Sequence, residues 1–197
     1  MRLVLMGTPA LAVAGFSALV EAGHEIAAVF TQPDKESGRG RKVQPCPVAA
    51  WAKEQNLPLF QPTTFRGSPT RSTLRSIAPD AYVVTAYGRI LPRGVLMIPR
   101  YGAVNLHGSL LPRWRGASPI QSAIAAGDTS TGLTTMLMDE GLDTGPILRT
   151  WEMELGDSDT AHTIGRAMAQ ASGPLLVDTL AGLEDGHYSL ARNRTRE

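Results

Sequence analysis

Asn105 and His107 are polar side chains two positions apart, set between apolar neighbours and directly before Gly108. Alternate side chains of a β-strand point to the same face, so an extended conformation would direct the amide and the imidazole the same way. Both groups can donate hydrogen bonds to an oxygen atom on which negative charge develops. For an isolated pair of this spacing, ordinary polar residues satisfied at a strand end would be the better interpretation. The apolar neighbours and the glycine behind His107 favour a functional pair instead.

A second polar cluster lies in residues 138–145, which contain three carboxylates and two glycines. This composition is typical of a tight surface turn, and its spacing does not match that of an EF-hand calcium loop. The segment follows a predicted strand, where a rigid scaffold commonly presents functional loop residues. The residues alone therefore leave a plain turn and a site loop as alternatives.

A basic segment spans residues 33–42 and carries Lys35, Arg39, Arg41 and Lys42. A charged stretch is usually a solvated loop, but this one is longer than most connections between a strand and the next helix. It follows the second predicted strand, at the sheet edge where a ligand is expected. Basic side chains at that edge could contact the phosphates of a nucleic acid.

The elements that must position these groups alternate between strand and helix. Apolar runs predict strands at residues 3–6, 26–31, 57–60, 81–86 and 103–107. Helical patterns cover residues 10–22, 48–55 and 66–77, with one helical turn within 87–101 and a long polar loop over 32–47. This alternation predicts an α/β fold with a doubly wound, mostly parallel open sheet, which binds ligands at the carboxyl ends of its strands.

The second half of the chain changes character and predicts mixed strand pairing. We expect a helix over residues 117–126 and strands with mixed or antiparallel pairing over 132–138 and 146–154. A long helix is expected over 159–180, with Asp159 as its N-cap. Gly173 and Pro174 should kink or interrupt that helix.

The composition excludes several classes of protein. The 197 residues suit one domain, and 18 acidic against 19 basic residues give no global electrostatic case for nucleic-acid binding. The single cysteine excludes an internal disulfide framework and a cysteine-rich zinc site, and no histidines are paired at metal-ligand spacing, so no metal site is expected. No apolar run approaches the roughly 20 residues that span a bilayer, so we expect a cytoplasmic protein without a membrane role.

Common nucleotide and hydrolase motifs are missing as well. The first strand-to-helix turn, Gly7-Thr8-Pro9, lacks the glycine spacing of a dinucleotide site, so NAD is not expected. The sequence also contains neither a phosphate-binding loop nor a serine in a nucleophile elbow.

The run from Asn105 to Gly116, Asn-Leu-His-Gly-Ser-Leu-Leu-Pro-Arg-Trp-Arg-Gly, together with residues 139–145, Asp-Glu-Gly-Leu-Asp-Thr-Gly, resembles the folate-dependent formyltransferases. The resemblance extends from Gly7 to the final predicted helix. It implies transfer of a formyl group from 10-formyltetrahydrofolate to a primary amine, with Asn105 and His107 stabilising the oxyanion. Asp143 matches the family's catalytic aspartate, which would hold His107 in its cationic form or relay the amine proton. Asp143 joins the pair through this resemblance alone.

The same resemblance implies a folate pocket formed by three segments. Their leucines could equally belong to the core, which would be the interpretation without the family. The predicted pocket residues are Tyr87, Gly88, Ile90, Leu91, Ser109, Leu110, Leu111, Pro112, Met138, Asp139, Glu140, Gly141 and Leu142.

The acceptor is indicated by the basic segment. Residues 38–42, Gly-Arg-Gly-Arg-Lys, are similar to a loop of the family members that formylate methionyl-tRNA for the initiation of translation. This implies that Lys35, Arg39, Arg41 and Lys42 contact initiator methionyl-tRNA. An amino sugar nucleotide or glycinamide ribonucleotide is the alternative acceptor. A folate- or RNA-binding module without activity has no need of all three of Asn105, His107 and Asp143.

The resemblance also implies a domain boundary. Residues 1–188 would form the catalytic domain, and residues 189–197 would begin a linker to a C-terminal tRNA-binding domain outside this chain. No obligate protein partner is evident, and the oligomeric state does not follow from the sequence.

Overall fold

A computed structural model describes residues 1–37, 42–65 and 68–188 of the chain. Within those ranges the strands are β1 (Arg2–Gly7), β2 (Glu25–Phe30), β3 (Lys35–Ser37), β4 (Lys42–Gln44), β5 (Leu59–Phe60), β6 (Ala81–Thr85), β7 (Ala103–His107), β8 (Ser130–Leu137) and β9 (Ile147–Glu154). The helices are α1 (Ala10–Glu21), α2 (Pro47–Glu54), α3 (Ser68–Ile77), α4 (Arg93–Leu96), α5 (Pro119–Ala125) and α6 (Ala161–Glu184).

The main sheet has the strand order β5-β2-β1-β6-β7-β8-β9. The strands from β5 to β7 are parallel, whereas β8 runs antiparallel to β7 and β9 antiparallel to β8. This confirms the predicted doubly wound, mostly parallel sheet with mixed pairing in the second half. Strands β6 and β7 are buried along their whole length, because helices and loops cover both faces of a parallel sheet.

Two apolar cores lie on opposite faces of the sheet. Strand β1 supplies both, because Leu3 and Leu5 point into the core that contains α1 and α6, while Val4 and Met6 point into the other. Helices α1 and α6 approach closely, since a Cβ added at Gly15 would lie 2.8 Å from the side chain of Leu176. The alternation of β1 therefore anchors both layers around the central strands.

Residues 32–47 differ from the predicted loop, because they contain the antiparallel pair β3 and β4. Its register joins Lys35 to Gln44 and Ser37 to Lys42. Each strand is three residues long and mostly polar, so no hydrophobic alternation marks it in the sequence. Residues 38–41, between the two strands, lie outside the described ranges.

Helix α6 corrects two expectations. Its N-cap is Thr160 rather than Asp159, because the Thr160 hydroxyl accepts from the Thr163 N–H while the Thr163 hydroxyl accepts from the Thr160 N–H. Asp159 instead accepts from the Gly156 N–H at 2.9 Å. The helix also continues through Pro174 to Glu184, so of the two expected outcomes, a kink or an interruption, the interruption does not occur.

Candidate active site

Asn105 and His107 lie at the carboxyl end of β7, in the middle of the sheet. Asn105 pairs in register with Val84 of β6 and Met136 of β8, and His107 pairs with Thr134. Their exposed fractions are only 8% and 7%. Strand alternation places both side chains on one face, at the edge where parallel sheets bind ligands.

Asp143 reaches this pair from the loop between β8 and β9. Its Oδ1 accepts a hydrogen bond from Asn105 Nδ2 at 3.3 Å, and its Oδ2 accepts from the Gly116 N–H at 2.8 Å. The same Oδ2 lies 3.5 Å from His107 Nδ1. Asp143 has a φ of 53°, a left-handed conformation that Asp adopts more readily than most residues with a Cβ. The fold thus assembles the three predicted catalytic residues into one cluster.

The imidazole of His107 is held between two oxygen atoms. Its Nδ1 faces Asp143, and its Nε2 lies 2.8 Å from the backbone carbonyl oxygen of Trp114. A carboxylate and a carbonyl both accept hydrogen bonds, so a ring protonated on both nitrogens has a donor for each. The position of the ring therefore depends on the loop that carries Trp114.

That loop, residues 108–116, is fixed to β8 through hydroxyl groups. The Thr134 hydroxyl donates to the Ser109 carbonyl at 2.7 Å and accepts from the Leu111 N–H at 3.1 Å. The Ser109 hydroxyl donates to the Arg113 carbonyl at 2.6 Å. Ser109 and Leu111 are buried, whereas Pro112 is exposed and Leu110 lines a surface depression beside Arg113. Ser109 and Leu111 are thus part of the framework of the site.

The loop after β6, residues 86–92, has a buried base and an exposed tip. Tyr87 is 2% exposed, packs edge-on against Phe65 and has a pKa raised by burial to about 12. Leu91 is also buried in the core, whereas Ile90 is 88% exposed. Gly88 has a φ of 71°, and a Cβ there would meet Gln32. Of the predicted folate residues in this loop, Ile90 is the one whose side chain faces solvent.

The acidic loop is organised around Asp139. Its Oδ1 accepts from the Gly141 N–H at 2.9 Å and from the Thr144 hydroxyl at 2.6 Å, which is a turn-forming arrangement. Glu140 lies 3.8 Å from Arg93, and Leu142 is 70% exposed. Met138 begins the loop and packs against the core. Asp139 therefore shapes the loop that carries Asp143.

The basic segment, residues 33–42, is joined to the loop after β6 through Gln32, a residue that was not predicted from the sequence to belong to the site. Its Nε2 donates to the Tyr87 carbonyl at 3.0 Å, and its Oε1 accepts from Lys35 Nζ at 2.7 Å. Its position directly beyond β2, at the carboxyl edge, was the available signal. Arg39 and Arg41 lie outside the described residues, and Lys42 begins β4.

Residues 1–37, 42–65 and 68–188 contain no group of three or more histidine, cysteine or acidic side chains placed to hold a metal ion. None of the helices there is both long and apolar enough to cross a membrane.

Comparison with known proteins identifies related chains. The sequence profile described as "Formyl transferase" matches residues 1–180. The methionyl-tRNA formyltransferase of Acidobacterium capsulatum is 52% identical over 187 residues, covering 94% of this chain and 60% of the relative. That of Corynebacterium aurimucosum is 49% identical over 191 residues, covering 94% and 58%. This chain thus spans about 60% of the length of these curated relatives.

Solved structures share the fold at lower identity. Glycinamide ribonucleotide transformylase 1 from Symbiobacterium toebii has a TM-score of 0.79 at 16% identity, covering 97% of this chain and 91% of its own. Phosphoribosylglycinamide formyltransferase from Bacillus halodurans has a TM-score of 0.77 at 25% identity, covering 95% and 97%.

Proposed function

The chain belongs to the formyl transferase family, and we propose that it forms the catalytic domain of an enzyme that formylates methionyl-tRNA for the initiation of translation. In this proposal 10-formyltetrahydrofolate is the donor and the amino group of the methionyl residue is the acceptor. The contact of the Asp143 carboxylate with both Asn105 and His107 carries the proposal. The family match supports the reaction class, and relatives that are 52% and 49% identical support the acceptor.

The proposed reaction is a direct transfer between two nitrogen atoms. The amine nitrogen attacks the formyl carbon, and the electron pair of the carbonyl bond moves onto its oxygen. The tetrahedral intermediate then collapses, and the bond between the formyl carbon and the folate nitrogen breaks. The amine loses a proton, and the folate nitrogen takes one. No covalent intermediate with the protein is needed.

Asn105 and His107 are the proposed donors to the developing oxyanion. Asn105 Nδ2 carries two N–H groups, of which one is directed at Asp143. The other remains for the substrate oxygen. The Trp114 carbonyl orients the Nε2 side of the His107 ring, and a ring protonated on both nitrogens can donate from Nε2 to the substrate oxygen when that oxygen lies beside the carbonyl. Donors that are oriented before the reaction stabilise the intermediate with little reorganisation.

Asp143 is proposed to hold this arrangement and to take part in proton transfer. Its Oδ1 faces the Asn105 amide and its Oδ2 faces both the His107 ring and the Gly116 N–H, so the carboxylate fixes the amide and the imidazole together. Its side chain is 12% exposed, which leaves an opening for water. The amine proton can reach the carboxylate directly or through such a water.

The folate is proposed to bind beside this cluster, against the loops that carry Ile90 and Leu142. Both side chains are large, apolar and exposed, at 88% and 70%. The Leu142 side chain also lies close to Gly116, whose N–H contacts Asp143. An aromatic ring system would cover such residues, while backbone groups of the loops satisfy its polar edge. The remaining predicted folate residues would act mainly by shaping these loops.

The acceptor end of methionyl-tRNA is proposed to lie against the basic segment, with Lys35, Arg39, Arg41 and Lys42 as phosphate contacts. The described part of the segment follows β2, which ends at the same edge of the sheet as the catalytic cluster. Gln32 connects it to the loop after β6. We further propose that residues 1–188 are the catalytic unit; residues 189–197, predicted to begin a linker, lie outside the described residues.

The decisive assay combines 10-formyltetrahydrofolate with methionyl-tRNA and compares the parent chain with His107→Ala. We expect formylation by the parent and a loss of about 100-fold in the variant, as for removal of one oxyanion donor. His162→Ala is the matched control, because His162 is exposed on α6. Turnover of glycinamide ribonucleotide or an amino sugar nucleotide, with none of methionyl-tRNA, would overturn the assigned acceptor.

The acceptor role of the basic segment has its own experiment. Arg39→Ala should weaken the use of methionyl-tRNA while leaving donor binding nearly unchanged, because Arg39 is assigned to phosphate. The salt dependence of tRNA binding should also decrease in the variant. Equal loss of donor and tRNA binding would contradict the assignment.

A further inference from the structure

Asp128, in the turn before β8, accepts three hydrogen bonds from the loop that follows His107. Its Oδ2 accepts from Arg113 Nε at 3.0 Å and from Trp114 Nε1 at 2.6 Å, and its Oδ1 accepts from Arg113 Nη2 at 2.6 Å. The carboxylate is only 13% exposed. Two parallel bonds from a guanidinium to a carboxylate specify geometry as well as adding energy. Asp128 therefore fixes two consecutive side chains at once.

The electrostatics of this contact agree with the geometry. The Arg113 hydrogen bond, followed by that of Trp114, lowers the pKa of Asp128 to about 2. Asp128 is thus charged throughout the neutral range. The Arg113 guanidinium also lies 4.5 Å above the Trp114 ring, which adds a cation–π contact.

The group held by this anchor touches the proposed catalytic histidine. The backbone carbonyl of Trp114 lies 2.8 Å from His107 Nε2. Trp114 has a φ of 58°, a conformation that a bulky residue keeps only when its surroundings enforce it. Gly116 is two residues further along the chain, and its N–H donates to Asp143. A shift of Trp114 would therefore move the partners of both His107 and Asp143.

We propose that Asp128 is a positioning residue for formyl transfer, which acts by fixing Trp114 so that its carbonyl orients the His107 ring. The inference rests on the proposed function, and it assigns Asp128 no contact with the reacting atoms. Outer partners orient the ligating imidazoles of metal sites in a comparable way. In the absence of the anchor, the left-handed Trp114 relaxes and the His107 ring loses its defined orientation.

The first experiment measures kcat and KM for Asp128→Asn, which keeps the side-chain shape but removes the charge. We expect kcat to fall roughly 10-fold, in the range seen when outer partners are removed, with KM for the donor nearly unchanged. Asp178→Asn is the matched control, because Asp178 is an exposed carboxylate paired with Arg149 at 3.9 Å. An unchanged kcat, or a loss confined to KM, would overturn the proposal.

A second experiment reads His107 directly and needs no turnover. The chain has four histidines, and the His107 signals in ¹⁵N-labelled protein are identified by their absence from His107→Ala. We expect Asp128→Asn and Trp114→Phe each to change the tautomer signature of His107, because the first replaces one of the two oxygens that accept from Arg113 and Trp114 with an NH2 group, and the second removes the indole donor. Unaltered His107 signals in both variants would sink the idea.

The two variants together distinguish positioning from general stability. If Asp128 acts through Trp114, adding Asp128→Asn to Trp114→Phe should lower kcat by less than the product of the single effects. Fully independent effects would refute the route through Trp114. If Asp128→Asn does not fold, the kcat and the His107 signals of Trp114→Phe still test the proposal. Failure of the parent chain to formylate any amine would defeat the proposed function while leaving the His107 spectra to decide the positioning role.

Discussion

The loops that follow β6 and β7 leave neighbouring strands at the same edge of the sheet, yet they are held very differently. Residues 108–116, after β7, are fixed by Thr134 and by Asp128. Residues 86–92, after β6, are held by fewer hydrogen bonds, from Gln32 to the Tyr87 carbonyl and from Arg89 to the Thr63 carbonyl, and they expose Ile90. The first loop is restrained along its length, and the second presents an apolar side chain to solvent.

This difference indicates that the two loops have different functions. Groups that stabilise a transition state must be held in place before the reaction, because small displacements of a donor cost much of its effect. A surface that covers an aromatic ligand needs apolar area more than exact placement. We therefore propose that the loop after β7 holds the groups that carry out the chemistry in place, and that the loop after β6 serves donor binding.

The largest effect should come from Asn105→Ala, which tests whether the β7 side serves chemistry. We expect kcat for formyl transfer to fall about 100-fold, equivalent to about 3 kcal/mol of activation free energy, because an oxyanion donor is lost. Donor affinity, measured by equilibrium dialysis, should change little. Gln170→Ala, on the exposed face of α6, is the control. A kcat near that of the control would show that the Asn105 side chain on β7 has no role in the chemical step.

The next effect concerns the anchoring of residues 108–116 on β8. Thr134→Val should lower the free energy of unfolding by about 1–3 kcal/mol, because the Leu111 N–H and the Ser109 carbonyl lose a buried partner. Thr131→Val is the matched control on the same strand, since the buried Thr131 hydroxyl has no hydrogen-bond partner among the described residues. Urea unfolding gives both values. Equal destabilisation of the two variants would show that the hydroxyl of Thr134 is not a special anchor.

A smaller effect should separate binding from stability in the loop after β6. Ile90→Ser should leave the free energy of unfolding within about 0.5 kcal/mol, as for other exposed positions. Donor affinity should fall about tenfold, which corresponds to about 1.4 kcal/mol of apolar contact. Met97 caps the end of α4 and is 73% exposed. Met97→Ser should therefore change neither quantity. Full donor affinity in Ile90→Ser would remove the binding role from this loop.

The smallest expected effect concerns His24, which lies at the opposite end of the sheet from the candidate site and serves as a reference for pH profiles. Burial, and next the charge of the chain's amino group, lower the pKa of His24, and the amino group lies 3.3 Å from its Nδ1. The unfolded chain then binds a proton at His24 more readily than the folded one. Stability should therefore fall as the pH drops through the ordinary histidine value towards the lowered one.

His24→Asn should flatten this dependence in urea unfolding between pH 7 and pH 5, roughly the range around the ordinary histidine pKa. The pH profile of kcat should be the same in this variant, because His24 precedes β2 and lies away from the carboxyl edge. A changed kcat profile would mean that global stability, rather than the site, sets the pH response.

Much of the fold follows from local patterns. Leu3 to Met6 and Ala81 to Thr85 are apolar runs of strand length between turn residues, and both are central strands. The hairpin of β3 and β4 escaped prediction because its short strands carry no such pattern. The N-cap of α6 was placed one residue early, because Asp159 and Thr160 are both good caps. Only the reciprocal bonds with Thr163 distinguish them.

The sequence alone determined that Asn105 and His107 share a face at a strand end, because that relation depends only on the two-residue period of a strand. Asp143 was predicted to join them from the family resemblance, and only the tertiary structure shows its contact with both side chains. The Trp114 carbonyl, the Gly116 N–H and the Asp128 anchor were decided by tertiary structure alone. Every residue has a carbonyl and nearly every residue an N–H, so no residue type marks the ones that a fold uses. Their roles arise only when β8 pairs with β7 and brings distant loops against one imidazole.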